Sequence, residues 1–150
     1  MGATRTISVA RHLAASPEVV WAVLADFPNI SVWNRGVTSS YSTSTAAQGV
    51  GATRHCDLAP FGAVEETVRE WEPGRRMVIT IDEARRLPIR SATATFKIDP
   101  VGDGTDVSID YHYDPQGPVG PMMDRQLRKG FTGFLDDLER AATEPSRLTT

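Results

Sequence analysis

The stretch Ser16-Pro17-Glu18-Val19-Val20-Trp21-Ala22-Val23-Leu24-Ala25-Asp26-Phe27, running on through Pro28-Asn29-Ile30 to Trp33-Asn34, constrains this chain most. Ser16 suits an N-cap, Pro17 the first helical position, and Glu18 complements the helix dipole. Val20, Val23, Leu24 and Phe27 fall at i, i+3, i+4 and i+7, which makes one apolar face. Asp26 and Pro28 then stop the run, so a second short element must follow directly. A helix this short is marginal alone, and its apolar face has to dock on something. The rest of the chain must supply that partner.

Strand patterns dominate the remainder of the chain. Thr4 to Leu13 precedes the helical pair. After it come Gly36 to Thr45, Ala52 to Leu58, Ala63 to Trp71, Met77 to Ile81, Ile89 to Ile98 and Val107 to Tyr113. Turn signals separate them: Gly49-Val50-Gly51, Ala59-Pro60-Phe61-Gly62, Glu72-Pro73-Gly74 and Gly102-Asp103-Gly104. Asp82 to Pro88 reads as a polar loop and Pro115 to Pro121 as a linker. From Met122 to about Ala142 the period becomes helical, with Met123, Leu127, Phe131, Phe134 and Leu138 on one face. Strands joined by short turns are antiparallel. A long helix with one apolar face has to cover the concave side of that sheet. The fold class is α+β: a seven-stranded curved antiparallel sheet, two short helices after strand 1, and a long C-terminal helix. A curved sheet cannot close on a straight helix along its whole length, so a cavity between them is expected.

The totals narrow the partners. The net charge is −3 and no basic run exceeds Arg75-Arg76 or Arg85-Arg86, so no phosphate-tracking stripe is present and nucleic acid is not an expected partner. One cysteine, Cys56, forms no intrachain disulfide and suits a reducing cytoplasm. No stretch approaches the ~18 apolar residues of a membrane span. The N-terminus carries no apolar signal core, which points to the cytosol. His12 and His55 stand alone, with no second ligand nearby, so neither a metal nor another cofactor is expected. No nucleophile elbow, phosphate loop or dinucleotide fingerprint occurs.

The order of elements and several motifs resemble the START-like, or Bet v 1-like, superfamily (SRPBCC), and within it polyketide cyclase/dehydrase-type bacterial proteins. The matching residues are Ala15 to Trp21, Asp26-Phe27, Trp33-Asn34, Gly49 to Arg54, Glu66 to Pro73, and Asp103-Gly104-Thr105. The resemblance implies a helix-grip fold and one START-like domain over residues 1–150, with 143–150 as a flexible tail. It also implies an Arg and a Glu at the positions of Arg54 and Glu66. It does not choose a function, because the superfamily includes cyclases, lyases, lipid and hormone carriers and partner-binding modules.

Pairing around the Pro60 turn puts Arg54 and Glu66 on one face if the loop has an odd number of residues; a slip of one would separate them. Facing inward they either anchor a polar ligand group or form a structural ion pair. Alternation on the last strand puts Val107, Ile109, Tyr111 and Tyr113 inside, and Asp106, Ser108, Asp110, His112 and Asp114 in solvent. The Asp110–His112 pair is therefore surface, while the tyrosines either offer hydroxyls to a ligand or simply pack. Trp33 either gates the cavity or staples its helix to the long one. Gly130 and Gly133 imply either close packing or room for a ligand. Cys56 reads as an inert thiol.

The expected cavity lining is Arg54, Glu66, Val68, Met77, Ile79 and Phe96, then Ile109, Tyr111 and Tyr113 on the last strand. Met123, Leu127, Phe131 and Phe134 complete it from the helix. The leading function is binding of a small hydrophobic or aromatic molecule, as a carrier or sensor. The alternative is a cyclase or dehydratase in the same cavity, with Glu66 as base and Arg54 or a tyrosine stabilising an enolate. A partner-binding role for an exposed helix face is a third reading. A monomer or homodimer fits either leading reading.

Overall fold

A computed structural model describes residues 4–144. Its elements are β1 (Arg5–Leu13), α1 (Pro17–Ala25), a 3-10 helix (Phe27–Val32), β2 (Val37–Ser42), β3 (Thr53–Leu58) and β4 (Ala63–Glu72). They continue with β5 (Arg76–Arg85), β6 (Ile89–Val101), β7 (Gly104–Pro115) and α2 (Gly120–Thr143). The seven strands form one sheet in the order β1-β7-β6-β5-β4-β3-β2, and every neighbouring pair is antiparallel. The tail expected over 143–150 lies outside the described residues apart from Thr143, which closes α2, and Glu144.

The local signals act as their chemistry requires. Ser16 Oγ accepts the Val19 amide at 3.3 Å, and Pro17 opens α1. Val20, Val23, Leu24 and Ala25 are buried. The chain breaks at Asp26 (φ −78°, ψ 60°), and Phe27 becomes the first residue of the 3-10 helix, 1% exposed. Val107, Ile109, Tyr111 and Tyr113 are buried on β7, while Asp106 and His112 are exposed.

Two segments differ from expectation. Asp82 to Arg85 is not loop but the end of β5, which pairs Ala63 with Arg85, so the expected loop shortens to Arg86, Leu87 and Pro88. The polar residues of this strand end mark the outer face of a strand bulged at Asp82: Asp82 Oδ1 accepts from Thr80 Oγ1 at 2.9 Å and from Arg69 at 3.2 Å. The linker shortens to 116–119 for the same reason, since β7 reaches Pro115 and α2 begins at Gly120.

Curvature has an identifiable source. Extra residues interrupt the register of β2 at Thr38, of β4 at Arg69, of β5 at Asp82 (opposite Glu65/Glu66) and of β6 at Arg90. Bulges bend and twist a sheet locally. The backbone of α2 approaches β1, β7 and α1, but stays clear of β2 to β6. Only side chains span that gap, among them Phe134 against Phe96 at 5.5 Å between ring centroids. The first turn of α2 is tied down on the closed side. Arg5 Nε donates to Asp124 Oδ2 at 3.0 Å, and Tyr113 Oη donates to Asp124 Oδ1 at 2.6 Å.

On the outer face, His55 joins three strands. Its Nε2 meets Asp57 Oδ1 at 2.8 Å, its Nδ1 meets Glu65 on β4, and Tyr41 of β2 stacks on the ring at 5.0 Å. Ser39 donates to Asp57, while Glu83 and Arg85 on β5 complete the charged surroundings. Two carboxylates, one on each ring nitrogen, require both nitrogens to donate, so the imidazolium is favoured. The hydrogen bond to Asp57, then that to Glu65, raises the His55 pKa above its ordinary 6.5. A raised folded pKa contributes stability that is complete below the unfolded value and is lost as pH rises through the folded one. The difference in unfolding free energy between the native protein and His55→Gln is therefore expected to be largest below the unfolded value of about 6.5 and to shrink as pH rises above it. A difference independent of pH in urea titrations on both sides of that value would show that folding does not favour the imidazolium.

Candidate functional site

Where α2 stands off from the sheet, a cavity of about 180 Å³ opens between the inner faces of β3 to β7 and the middle of the helix. Its wall is mostly apolar: Ile79, Ile81, Ala94 and Phe96 on the sheet, and Leu127, Phe131 and Phe134 on α2. Leu58, Ala84, Leu87 and Ile89 border it from the strand ends and turns, while Ile30, Asn34 and Val37 border it from the 3-10 helix and the start of β2. The polar groups on the wall are Asn34, Arg54, Glu66, Tyr111 and the thiol of Cys56.

Arg54 and Glu66 lie directly opposite each other on β3 and β4. Arg54 Nε donates to Glu66 Oε1 at 2.7 Å, with the two side chains 7% and 13% exposed. Arg54 Nη1 donates to the Phe27 carbonyl at 2.8 Å, and its Cζ sits 3.9 Å from the centroid of the Phe27 ring. The pair thus also anchors the break between α1 and the 3-10 helix. The Cys56 thiol faces Glu66 Oε1 at 3.7 Å. Burial, and then the Glu66 charge, pushes the Cys56 pKa up to about 12, which keeps the thiol protonated and a poor nucleophile.

Tyr111 packs its ring on Phe131 at 4.8 Å between centroids. Burial, reinforced by the Glu66 charge, raises its pKa, so the hydroxyl stays protonated. That hydroxyl makes no hydrogen bond to the described residues. Asn34 Oδ1 accepts the Gly36 amide at 2.9 Å. Trp33 does not border the cavity. It meets Phe134 edge-on at 5.1 Å and so staples the 3-10 helix to α2. A Cβ on Gly130 or Gly133 would meet nothing within 4 Å, so these glycines flank open space and serve no close helix contact.

The structure brings eight of the thirteen expected lining residues to the cavity wall: Arg54, Glu66, Ile79, Phe96, Tyr111, Leu127, Phe131 and Phe134. The other five lie elsewhere. Val68, Met77 and Ile109 face inward but are sealed in the core, at 0%, 2% and 0% exposure. Met77 and Ile109 flank Phe96 in one cross-strand row, and this row forms the floor beyond the cavity. Tyr113 directs its hydroxyl to Asp124 and the Gly120 carbonyl, and Met123 packs in the first turn of α2. Alternation selects a face but not a distance along the strand.

Other wall residues are absent from the expectation. Cys56 and Val64 share strand parity with Arg54 and Glu66, so that signal was in the sequence. Ala84 and Leu87 fall in the segment read as a loop. Ile30, Asn34 and Val37 reach the wall only through the docking of the 3-10 helix. Among the described residues, no group of three or more His, Cys, Asp or Glu side chains could hold a metal, and no helix is long and apolar enough to cross a membrane.

Comparison with known proteins gives a consistent result. Residues 4–143 match the family described as polyketide cyclase / dehydrase and lipid transport. The fold is similar to that of a START superfamily protein from Mycobacterium smegmatis, with 18% identity, 91% of this chain and 96% of that chain covered, and a TM-score of 0.80. A protein from Thermus thermophilus aligns with 17% identity, 95% and 99% coverage and a TM-score of 0.81. Ara h 8.0201 aligns with 10% identity, 99% and 100% coverage and a TM-score of 0.77. At these identities the likeness speaks for the fold alone. No curated protein matches the chain significantly.

Proposed function

The chain belongs to the polyketide cyclase / dehydrase and lipid transport family, with a START-like, Bet v 1-like fold, and from that premise we propose that it binds a small, largely apolar molecule as a carrier or sensor. One START-like domain holds the ligand in the cavity beneath α2. The observation that carries this reading is the void itself. It has an apolar wall and one unpaired hydroxyl, on Tyr111. Pockets of this kind use apolar walls for affinity and a few polar groups for orientation.

Volume limits the ligand. A cavity of about 180 Å³ suits a single aromatic ring with short substituents, since an engineered void of ~150 Å³ takes benzene. A long acyl chain would need α2 to move. The Tyr111 hydroxyl favours a ligand with one oxygen acceptor. The Arg54–Glu66 pair weighs against the cyclase or dehydratase reading. A general base must be free to take a proton, whereas Glu66 already accepts from Arg54 at 2.7 Å. The single unpaired thiol supports a reducing cytoplasm as the place of action.

Thermal shift against a library of substituted phenols, aryl ketones and fatty acids tests the proposal. Monocyclic aromatics bearing one oxygen are expected to stabilise the protein most. Saturation at ~100 times the dissociation constant should add about 2.7 kcal/mol. A flat response across the library would overturn the binding reading. Stabilisation by fatty acids alone would overturn the size limit.

A further inference from the structure

The cavity beneath α2 offers a ligand several donors. Arg54 gives Nε to Glu66 and Nη1 to the Phe27 carbonyl, and its Nη2 has no partner among the described residues. Asn34 commits Oδ1 to the Gly36 amide, which leaves its Nδ2 to donate. The Tyr111 hydroxyl is unpaired as well.

Glu66 supplies an acceptor. Its Oε1 takes the Arg54 Nε–H at 2.7 Å and faces the Cys56 thiol at 3.7 Å. Its Oε2 has no hydrogen-bond partner among the described residues. That oxygen is not sealed in the core either. Among the described residues, Trp33 Nε1 and Arg76 Nε are the partnerless side-chain atoms without solvent contact, and Glu66 Oε2 is not one of them. Glu66 faces inward on β4, borders the cavity, and keeps 13% of its side chain exposed. The surface left to Oε2 therefore opens on the void.

An ionised carboxylate oxygen can only accept. A molecule filling the cavity displaces the water that would serve Oε2, and leaving a charged group unpaired in an apolar enclosure is costly. A carbonyl or ether ligand pairs with one of the wall donors but leaves Oε2 bare. A carboxylate ligand does worse, because it brings a second negative charge and no proton. A hydroxyl meets both demands, since its oxygen accepts while its proton donates. Arg54 already balances the Glu66 charge, so a cationic ligand finds no net negative charge to offset its own desolvation.

We propose that Glu66 Oε2 selects the polar group of the ligand, so that the cavity takes a neutral hydroxyl-bearing aromatic, a monocyclic phenol, over ketones, ethers and acids of the same size. This inference rests on the reading of the cavity as a ligand site and adds what the polar group must be. Glu66 acts as a hydrogen-bond acceptor, and no proton is transferred.

Phenol, anisole, benzaldehyde and toluene separate the possibilities, because they share one ring and differ in the proton they can give. Each is titrated into the 15N-labelled full chain, and affinities are read from saturating chemical-shift changes. Phenol is expected to bind at least about tenfold more tightly than anisole or benzaldehyde. Glu66→Gln then inverts the chemistry at one atom. The Arg54 Nε–H holds the amide oxygen in the place of Oε1, so the amide nitrogen replaces Oε2 and a donor stands where the acceptor was. Phenol should lose its lead over benzaldehyde in that variant, a change that mere loss of packing would not produce. An unchanged phenol-to-benzaldehyde ratio in Glu66→Gln would overturn the assignment to Glu66. Binding of the four compounds to the native chain in order of hydrophobicity, with toluene ahead, would overturn it too and leave the binding reading standing. If no aromatic binds at all, both fall together. Should Glu66→Gln fail to fold, the order of affinities for the native chain still decides.

Discussion

Replacing Glu66 with leucine is expected to lower the unfolding free energy by about 3–5 kcal/mol. The substitution strands the Arg54 guanidinium, whose side chain is 7% exposed, with the Phe27 carbonyl and ring as its remaining partners among the described residues. An uncompensated buried charge is the costly outcome. Removing both members is different, because apolar residues of similar volume often match or improve on a buried pair, by up to ~4 kcal/mol. The double variant Arg54→Met/Glu66→Leu should therefore recover most of the loss, with a more apolar cavity wall. Urea unfolding of the wild type, both single variants and the double variant measures this. A Glu66→Leu loss below about 1 kcal/mol would show that solvent in the cavity screens the charge.

Truncating Phe27 to alanine is expected to cost about 3–5 kcal/mol. Phe27 is 1% exposed and sits at the junction where α1 breaks into the 3-10 helix. Its ring also lies against the Arg54 guanidinium, an attraction worth up to ~2 kcal/mol where water is excluded. Part of the loss should therefore depend on Arg54. A double-mutant cycle with Arg54→Met should give a coupling of about 0.5–3 kcal/mol by the same urea measurement. Strict additivity would mean that the ring merely fills volume.

Much of the fold was legible because its signals are local. A capping serine, a proline in the first turn and an i, i+3, i+4 stripe are properties of a few consecutive residues. They specify α1 whatever the rest of the chain does. Alternation on β7 separates buried tyrosines from exposed His112 for the same reason. Short turns between strands leave only antiparallel pairing, and the apolar face of α2 leaves only the concave side of the sheet to cover. The segment read as a polar loop shows the limit of this logic. Asp82 and Glu83 look like loop residues until β4 is seen beside them, where they form the outer face of a paired strand.

The Arg54–Glu66 pairing lies on the boundary. The motif placed both residues on adjacent strands, but only the register of β3 against β4 sets them opposite each other, and that register depends on the turn at Ala59 to Gly62. The cavity wall goes further beyond the sequence. Ile79 and Met77 share a strand, a face and a chemistry, yet one borders the void and the other lies sealed beneath it. What separates them is the gap between α2 and the sheet. Bulges in β2, β4, β5 and β6 set that gap, together with the docking of α2 on β1, β7 and α1 at distant points of the chain. By itself the sequence determined which side of each strand and helix turns inward, because side-chain direction follows backbone period within a few residues. Only the tertiary structure decided where the inward faces fail to meet, because that distance is a sum of curvature and helix placement that no local pattern encodes.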